Sequence, residues 1–325
     1  MSFSLSSYIS IRVIHSIRFE PPRMRFLQGR HRSPRMRNLD ETTITQAVIA
    51  RHAKTTNRRL KTVMTSLVRH LHGFAREVDL TEAEWVAGIE FLTAVGHTCS
   101  PTRQEFILLS DTLGLSTLVA AQNHRKPVGC TEATVFGPFH VEGSPERPLG
   151  ADVANGAEGE PCFVRGSIRG LAGEPVAGAV IEVWQADAKG LYDVQYEAFD
   201  EHRARATLRS APDGGYHFLG IVATPYPIPH DGPVGQLLDA LNRHPWRPAH
   251  LHFRISAPGY ETLVTHVFRD GDPYLDSDAV FGVRSSLVAD WVHHEGGPAP
   301  DGRMLDTPFS TLDFDFVLNP ARKEG

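Results

Sequence analysis

Between residues 40 and 126 the apolar positions recur every three or four residues, the period of amphipathic helices. Leu60, Val63, Met64, Leu67, Leu71 and Phe74 fall on one stripe and predict a helix from Arg58 to Ala75. Asp79-Leu80-Thr81 followed by Glu84 has the spacing of a capping box and predicts a helix through about Val95. Ser100-Pro101 places proline at a first helical position, with Gly114 as the stop, and Ser116 is positioned to cap a short last helix through Asn123. These apolar faces exceed what one small bundle buries, so the surplus is expected to cover a second domain or a partner subunit.

Beyond Gly129 the texture changes to short β-rich runs separated by Gly, Pro and Asp. Strands are predicted at 162–168, 179–185, 251–256, 263–268 and 312–318, with Pro212-Asp213-Gly214-Gly215 as a hairpin turn leading to Tyr216 and Phe218. Strands in series without intervening amphipathic helices indicate an antiparallel sandwich, not a doubly wound sheet. The expected fold class is therefore α+β: a helical domain over 38–128 and a β-sandwich over 129–325. No phosphate-binding loop, nucleophile elbow or internal repeat interrupts this reading.

Composition narrows the functional classes. At 41% hydrophobic and 22% charged residues in 325, the chain is an ordinary globular protein, and no apolar run approaches the roughly 20 residues of a membrane helix. A net charge of -5 argues against a general nucleic-acid binder. Three scattered cysteines suit a reducing, cytoplasmic compartment and supply no zinc ribbon or redox pair. Residues 1–37 stand apart, with eight Arg, no Lys and a single acid. A head of this kind can be a transit peptide or a nucleic-acid-binding arm. The plainer reading, preferred here, is a disordered extension, or translation assigned too far upstream with Met24 or Met36 as the working start.

The 17 histidines are the abnormal feature. In Arg247-Pro248-Ala249-His250-Leu251-His252-Phe253-Arg254-Ile255, alternation sends Leu251, Phe253 and Ile255 to one face and His250, His252 and Arg254 to the other. Two imidazoles two residues apart on one strand face can share a metal ion, although the pattern alone is a modest signal. Tyr192 follows Lys189-Gly190-Leu191, and Tyr226 is held between prolines in Pro225-Tyr226-Pro227, which fixes where its phenol points. A hard trivalent ion would select phenolate and imidazole together, whereas half-buried tyrosines with bonded hydroxyls are the ordinary alternative.

Gly190-Leu191-Tyr192-Asp193, Tyr226-Pro227-Ile228-Pro229-His230-Asp231-Gly232-Pro233-Val234-Gly235 and Arg247-Pro248-Ala249-His250-Leu251-His252 together resemble the signature of the intradiol ring-cleavage dioxygenases. Val183-Trp184-Gln185-Ala186-Asp187 resembles the strand before the first ligand, and the helical N-terminal part resembles the catechol-type branch. The resemblance implies one Fe(III) per chain, with Tyr226 and His252 as axial ligands and Tyr192 and His250 as equatorial ones. It also implies that Tyr226 takes a substrate proton and that Arg247 stabilises carbanion-like density on the ring. Where many members carry Gln, this chain has His266, either a polar contact or a group titrating near neutral pH.

The pocket resembles that of the hydroxyquinol branch. Leu108, Asp111, Val135, Phe136, Gly137, Pro138, Phe139, Ile228, Pro229 and Val280 would line it, with Asp111 accepting the third ring hydroxyl. The implied reaction is O2-dependent cleavage of hydroxyquinol to 3-hydroxy-cis,cis-muconate, which tautomerises to maleylacetate. Catechol or chlorocatechol is the alternative substrate. The resemblance further implies a homodimer joined through the helical domains, with phospholipid in an apolar tunnel there. Two other classes stay open at this point: a zinc hydrolase built on His250, His252 and a carboxylate, and a transthyretin-like binding sandwich suggested by residues 173–179.

Overall fold

The computed structural model describes residues 37–100, 103–196 and 201–321. The basic head, apart from Arg37, and Pro101 lie outside the described residues. The chain falls into two compact units, one through Thr93 and one from Ala94 onward. That break lies upstream of the boundary expected near residue 128.

The first unit is helical. Helices α1 (Ile44–Arg51), α2 (Arg58–Glu77) and most of α3 (Glu82–Thr98) occupy its described part. Asn57 caps α2 by accepting from the Leu60 amide at 2.9 Å. The capping box forms as expected, the Thr81 amide donating to Glu84 and the Glu84 amide to Thr81 Oγ1. Thr45 on α1 accepts from Arg76 and pairs with His72, tying α1 to α2. The predicted α2 stripe is present but uncovered: Leu60, Val63, Met64, Leu67, Leu71 and Phe74 are 36% to 55% exposed.

The second unit opens with α4 (Glu105–Thr112) and α5 (Leu115–Asn123). The first of these starts four residues later than Pro101 suggested. Gly114, in the left-handed conformation, is the N-cap of α5, and Ser116 lies inside its first turn, bonded to Ser110. Both helices are tied to loops of the same unit: Thr117 donates to the Val280 carbonyl and Arg243 to that of Thr112.

Two five-stranded sheets follow. One contains β10 (Trp291–His294), β13 (Phe309–Asp313), β1 (Pro161–Gly170) and β14 (Phe316–Leu318), with β4 (Gly215–Ile221) also paired to β1. The other has the order β3 (Arg205–Arg209), β2 (Val180–Trp184), β7 (His250–Ser256), β8 (Leu263–Arg269), β9 (Val288–Ala289). The inward residues of both sheets, among them Val164, Phe218, Leu312, Ile181, Phe253 and Val267, form one buried core.

The sandwich is mixed and not purely antiparallel. β1 pairs in parallel with both β13 and β14, and β8 with β9. The single strand expected at 312–318 is two strands broken at Phe314-Asp315. At the break the Phe314 carbonyl comes so close to Gly166 that a Cβ there would lie 1.8 Å from its oxygen, which only glycine permits. Asp315 accepts from the Ser167 amide at 2.7 Å and resumes the register. No helix among the described residues is long and apolar enough to cross a membrane.

Candidate active site

Strand β7 does what alternation requires. Leu251, Phe253 and Ile255 are in the core, while His250 and His252 are buried on the opposite face. Tyr192 is delivered by the turn 187–191, in which Asp187 Oδ1 accepts from the Lys189 and Leu191 amides. Behind it, Gln195 accepts from the Tyr192 amide, and the Asp193–Arg205 ion pair, both side chains 1% exposed, anchors the segment. Tyr226 comes from β5 (Tyr226–Pro227), which pairs with β6 (Trp246–Arg247) so that Tyr226 stands opposite Arg247.

These four side chains converge. The Tyr192 hydroxyl lies 3.1 Å from the Tyr226 hydroxyl and 2.9 Å from His252 Nε2. His250 Nε2 is 3.5 Å from the Tyr226 hydroxyl and 3.2 Å from His252 Nε2. Ligands about 2.0–2.1 Å from one ion stand roughly 3 Å from each other, so this is the spacing of a coordination shell. The tautomer agrees. His250 Nδ1 donates to the Pro248 carbonyl at 2.7 Å, which leaves the Nε2 lone pair facing inward.

The electrostatics also fit a cation. Burial, and then the charge of Arg247, pushes His250 down to about 3. Burial, followed by His266 and His250, holds His252 well below its ordinary value. Both imidazoles are therefore neutral. Burial and the adjacent Tyr226 hold Tyr192 well above the usual phenol value, a penalty that a bound positive ion would reverse. Two hard phenol oxygens and two neutral nitrogens, with no carboxylate grouped with them among the described residues, suit a non-haem iron.

His266 also approaches, and the ligand atoms of His250, His252 and His266 lie within 4.8 Å of one another. Its ring, however, stacks nearly parallel on His250, at 4.7 Å and 21°. Lone pairs in two nearly parallel, separated planes converge poorly on one ion, whereas the tyrosine hydroxyls lie 2.9 Å from His252 Nε2 and 3.5 Å from His250 Nε2. His266 is fully buried, and burial with the charges of His250 and Arg247 holds it well below 6.5. The direction of that shift runs against titration near neutral pH.

Arg247 is buried at the rim. Its Nε and Nη2 donate to Asp278 at 3.1 and 3.3 Å, and Nη1 lies 3.1 Å from His250 Nε2. Burial opposes its charge, but Asp278 outweighs that cost and keeps the guanidinium firmly cationic. Asp111 is buried and within electrostatic reach of Arg247 and Asp278; burial raises it above the ordinary carboxylate value, against a hydrogen bond from Ser116.

Of the remaining expected pocket residues, Leu108, Val135, Ile228 and Val280 are buried and Pro229 is half-buried. Phe139 stacks on Tyr192 at 4.4 Å, and Gly137 lies against His252. Phe136 and Pro138 are instead exposed, although Phe136 keeps an edge against His140. Sequence reasoning gave no role to Asp278 or Arg205, nor to Trp184, which stacks on His252 at 4.7 Å and 15°. Only the fold pairs them with the site.

Comparison with known proteins agrees with this geometry. The Dioxygenase family profile matches residues 135–320, and the profile of the catechol dioxygenase N terminus matches residues 57–131. The chain belongs to the intradiol ring-cleavage dioxygenases. It is 64% identical over 286 residues to the 6-chlorohydroxyquinol 1,2-dioxygenase of Cupriavidus pinatubonensis, covering 88% of this chain and 100% of that protein. Against the hydroxyquinol 1,2-dioxygenase of Nocardioides simplex the identity is 55%, covering 86% and 96%. The crystal structure of hydroxyquinol 1,2-dioxygenase from Pseudomonas putida DLL-E4 superposes with a TM-score of 0.81 at 48% identity, covering 86% of this chain and 99% of that one. The zinc hydrolase and binding-sandwich alternatives are set aside by this membership, and no carboxylate joins His250 and His252 among the described residues.

Proposed function

We propose that the protein cleaves hydroxyquinol between its vicinal hydroxyls, both atoms of O2 entering the product, 3-hydroxy-cis,cis-muconate, which tautomerises to maleylacetate. The observation that carries this reading is the closed ring of two phenol oxygens and two neutral imidazole nitrogens 2.9 to 3.5 Å apart in a buried site. One Fe(III) per chain would be held by Tyr192, Tyr226, His250 and His252, supplying a Lewis-acidic and redox-active centre for a vicinal diol and O2.

The chain's own groups do the rest. Tyr226, on a two-residue strand, is the base that accepts a proton from a substrate hydroxyl. Arg247, locked as a cation, faces the same centre and stabilises negative charge on the ring. Asp111 accepts the hydroxyl that distinguishes hydroxyquinol from catechol, in a pocket bounded by Leu108, Val135, Ile228 and Val280. A second reading, a chlorinated hydroxyquinol as substrate, is favoured by the 64% identical relative; chlorocatechol enzymes of known structure stand at 25% and 29% identity.

The exposed apolar stripe of α2 supports a homodimer formed through the helical unit, with phospholipid chains covering the rest of that surface. The three free cysteines support a cytoplasmic location. Purified protein should be red to burgundy, contain about one iron per chain and turn over hydroxyquinol faster than catechol. A colourless, iron-free but active preparation would overturn the ligand assignment, and a preference for catechol or chlorocatechol would overturn the substrate assignment.

A further inference from the structure

The geometry points to Asp278 as the positioning residue of this site, holding both the Arg247 guanidinium and the pocket wall at Val280 and thereby leaving Asp111 to the substrate. The inference rests on the ring-cleavage reading above. Asp278 is 2% exposed at its side chain and receives four donors. Arg247 Nε and the Val280 amide reach Oδ1 at 3.1 and 3.3 Å, while Arg247 Nη2 and the Gly282 amide reach Oδ2 at 3.3 and 2.8 Å. One carboxylate therefore joins a charged catalytic side chain to the loop carrying a substrate-facing residue. The loop is pinned again from outside, by Thr134 donating to the Gly282 carbonyl at 2.7 Å and Thr117 to that of Val280 at 3.0 Å. Asp278 is thus held by backbone on one side and holds the guanidinium on the other.

A guanidinium offers its donors in a planar fork. Asp278 takes the Nε–Nη2 edge, and this orients Nη1 toward His250 and the centre. Two buried carboxylates, Asp278 and Asp111, sense the same guanidinium. With Asp278 bonded to Nε and Nη2, that edge of the fork is taken, and buried Asp111 keeps acceptor capacity for a ring hydroxyl. With Asp278 neutralised, the fork is free to turn to Asp111. Arg247 would leave its orientation, and Asp111 would be lost as an acceptor. One substitution should therefore lower turnover and also blur substrate choice, whereas a merely structural aspartate would change neither selectively.

The test uses the iron-loaded enzyme. Asp278→Asn should retain wild-type iron content and phenolate absorption, lose about 100-fold in kcat, and narrow the hydroxyquinol-to-catechol kcat/KM ratio by roughly tenfold. Asp278→Glu, which keeps the charge but shifts the carboxylate by a methylene, should show the same two losses to a smaller degree and covers the case in which the Asn variant does not fold. Methylguanidinium should raise the melting temperature of Arg247→Ala and restore part of its activity, but do neither in Arg247→Ala/Asp278→Asn. Equal rescue of both proteins, or Asp278 variants with kcat within twofold of wild type and an unchanged ratio, would overturn the proposal. The melting shift needs no turnover, so a failure of the ring-cleavage reading is separable: wild type would be inactive while the shift still depended on Asp278.

Discussion

Gly137→Ala is the substitution whose cost is most directly set by the geometry. Gly137 has φ +78, and a Cβ there would lie 2.9 Å from His252 Cε1, against an ordinary contact of at least 3.4 Å. The imidazole must therefore move by about 0.5 Å, the difference between those distances. It has no free direction, being stacked on Trp184 at 4.7 Å and crossed by His266 at 4.1 Å. The left-handed backbone costs about 1–2 kcal/mol with a side chain, and overpacking a filled site about 1–3 kcal/mol. Gly143 supplies the control, since it has φ +76 and nothing within 4 Å, so Gly143→Ala carries the backbone cost alone. The excess loss in Gly137→Ala, about 1–3 kcal/mol, falls on a candidate ligand and should weaken iron binding by roughly tenfold to a hundredfold. Thermal unfolding of the iron-free proteins reads the stability difference, and chelator competition followed by the phenolate absorption reads the affinity. Gly137→Ala with the melting temperature of Gly143→Ala and undiminished iron affinity would refute the reasoning.

Other outcomes follow from the same packing. Asp111→Ala should reduce the hydroxyquinol-to-catechol preference by about one to two orders of magnitude, the worth of a charged acceptor bond, without moving the iron absorption; steady-state kinetics on both substrates checks it. Arg247→Lys keeps the charge but cannot span Asp278 and the centre as a planar fork, so kcat should collapse while iron content by metal analysis holds. Glu182 is burdened by burial, yet its bonds from His140 and Arg254 win and lower it below 4.5. A lowered carboxylate contributes stability that is full above pH 4.5 and is lost as the pH falls through its folded value. Glu182→Gln should therefore flatten the acid limb of the melting temperature measured from pH 6 to 3.

How much was legible in the sequence depended on range. The histidine pair was readable because strand alternation is local, and Tyr192 and Tyr226 because motif context marked them. The capping box at Thr81 and Glu84 is equally local and formed as written. Asp278 was not readable: its partner Arg247 lies 31 residues away, and nothing in Asp276-Ser277-Asp278 singles out one carboxylate. The break between β13 and β14 was hidden because Phe314 and Phe316 continue a strand-like pattern, and only the approach of Gly166 on β1 forces the interruption. The parallel pairing of β1 leaves no local signature, since its partner segments are nearly 150 positions apart. The late start of α4 was missed because proline at 101 permits a helix to begin without compelling it.

The parallel partnership of β1 has a consequence for the order in which the protein can be made. Its register joins Cys162 to Ser310 and Ile168 to Phe316, so a central strand waits for the last segments of the polypeptide. During synthesis, β1 and β4 can pair early, but half of that sheet stays open until the C-terminal strands emerge from the ribosome. Contacts of such long sequence separation are slow to form and leave an unpaired edge in the interval. A chain stopped before Phe309 would keep every residue of the candidate iron site and still lack the strands that close the sandwich beneath it. Premature termination near the end of the message should thus yield insoluble protein, not a weakened enzyme.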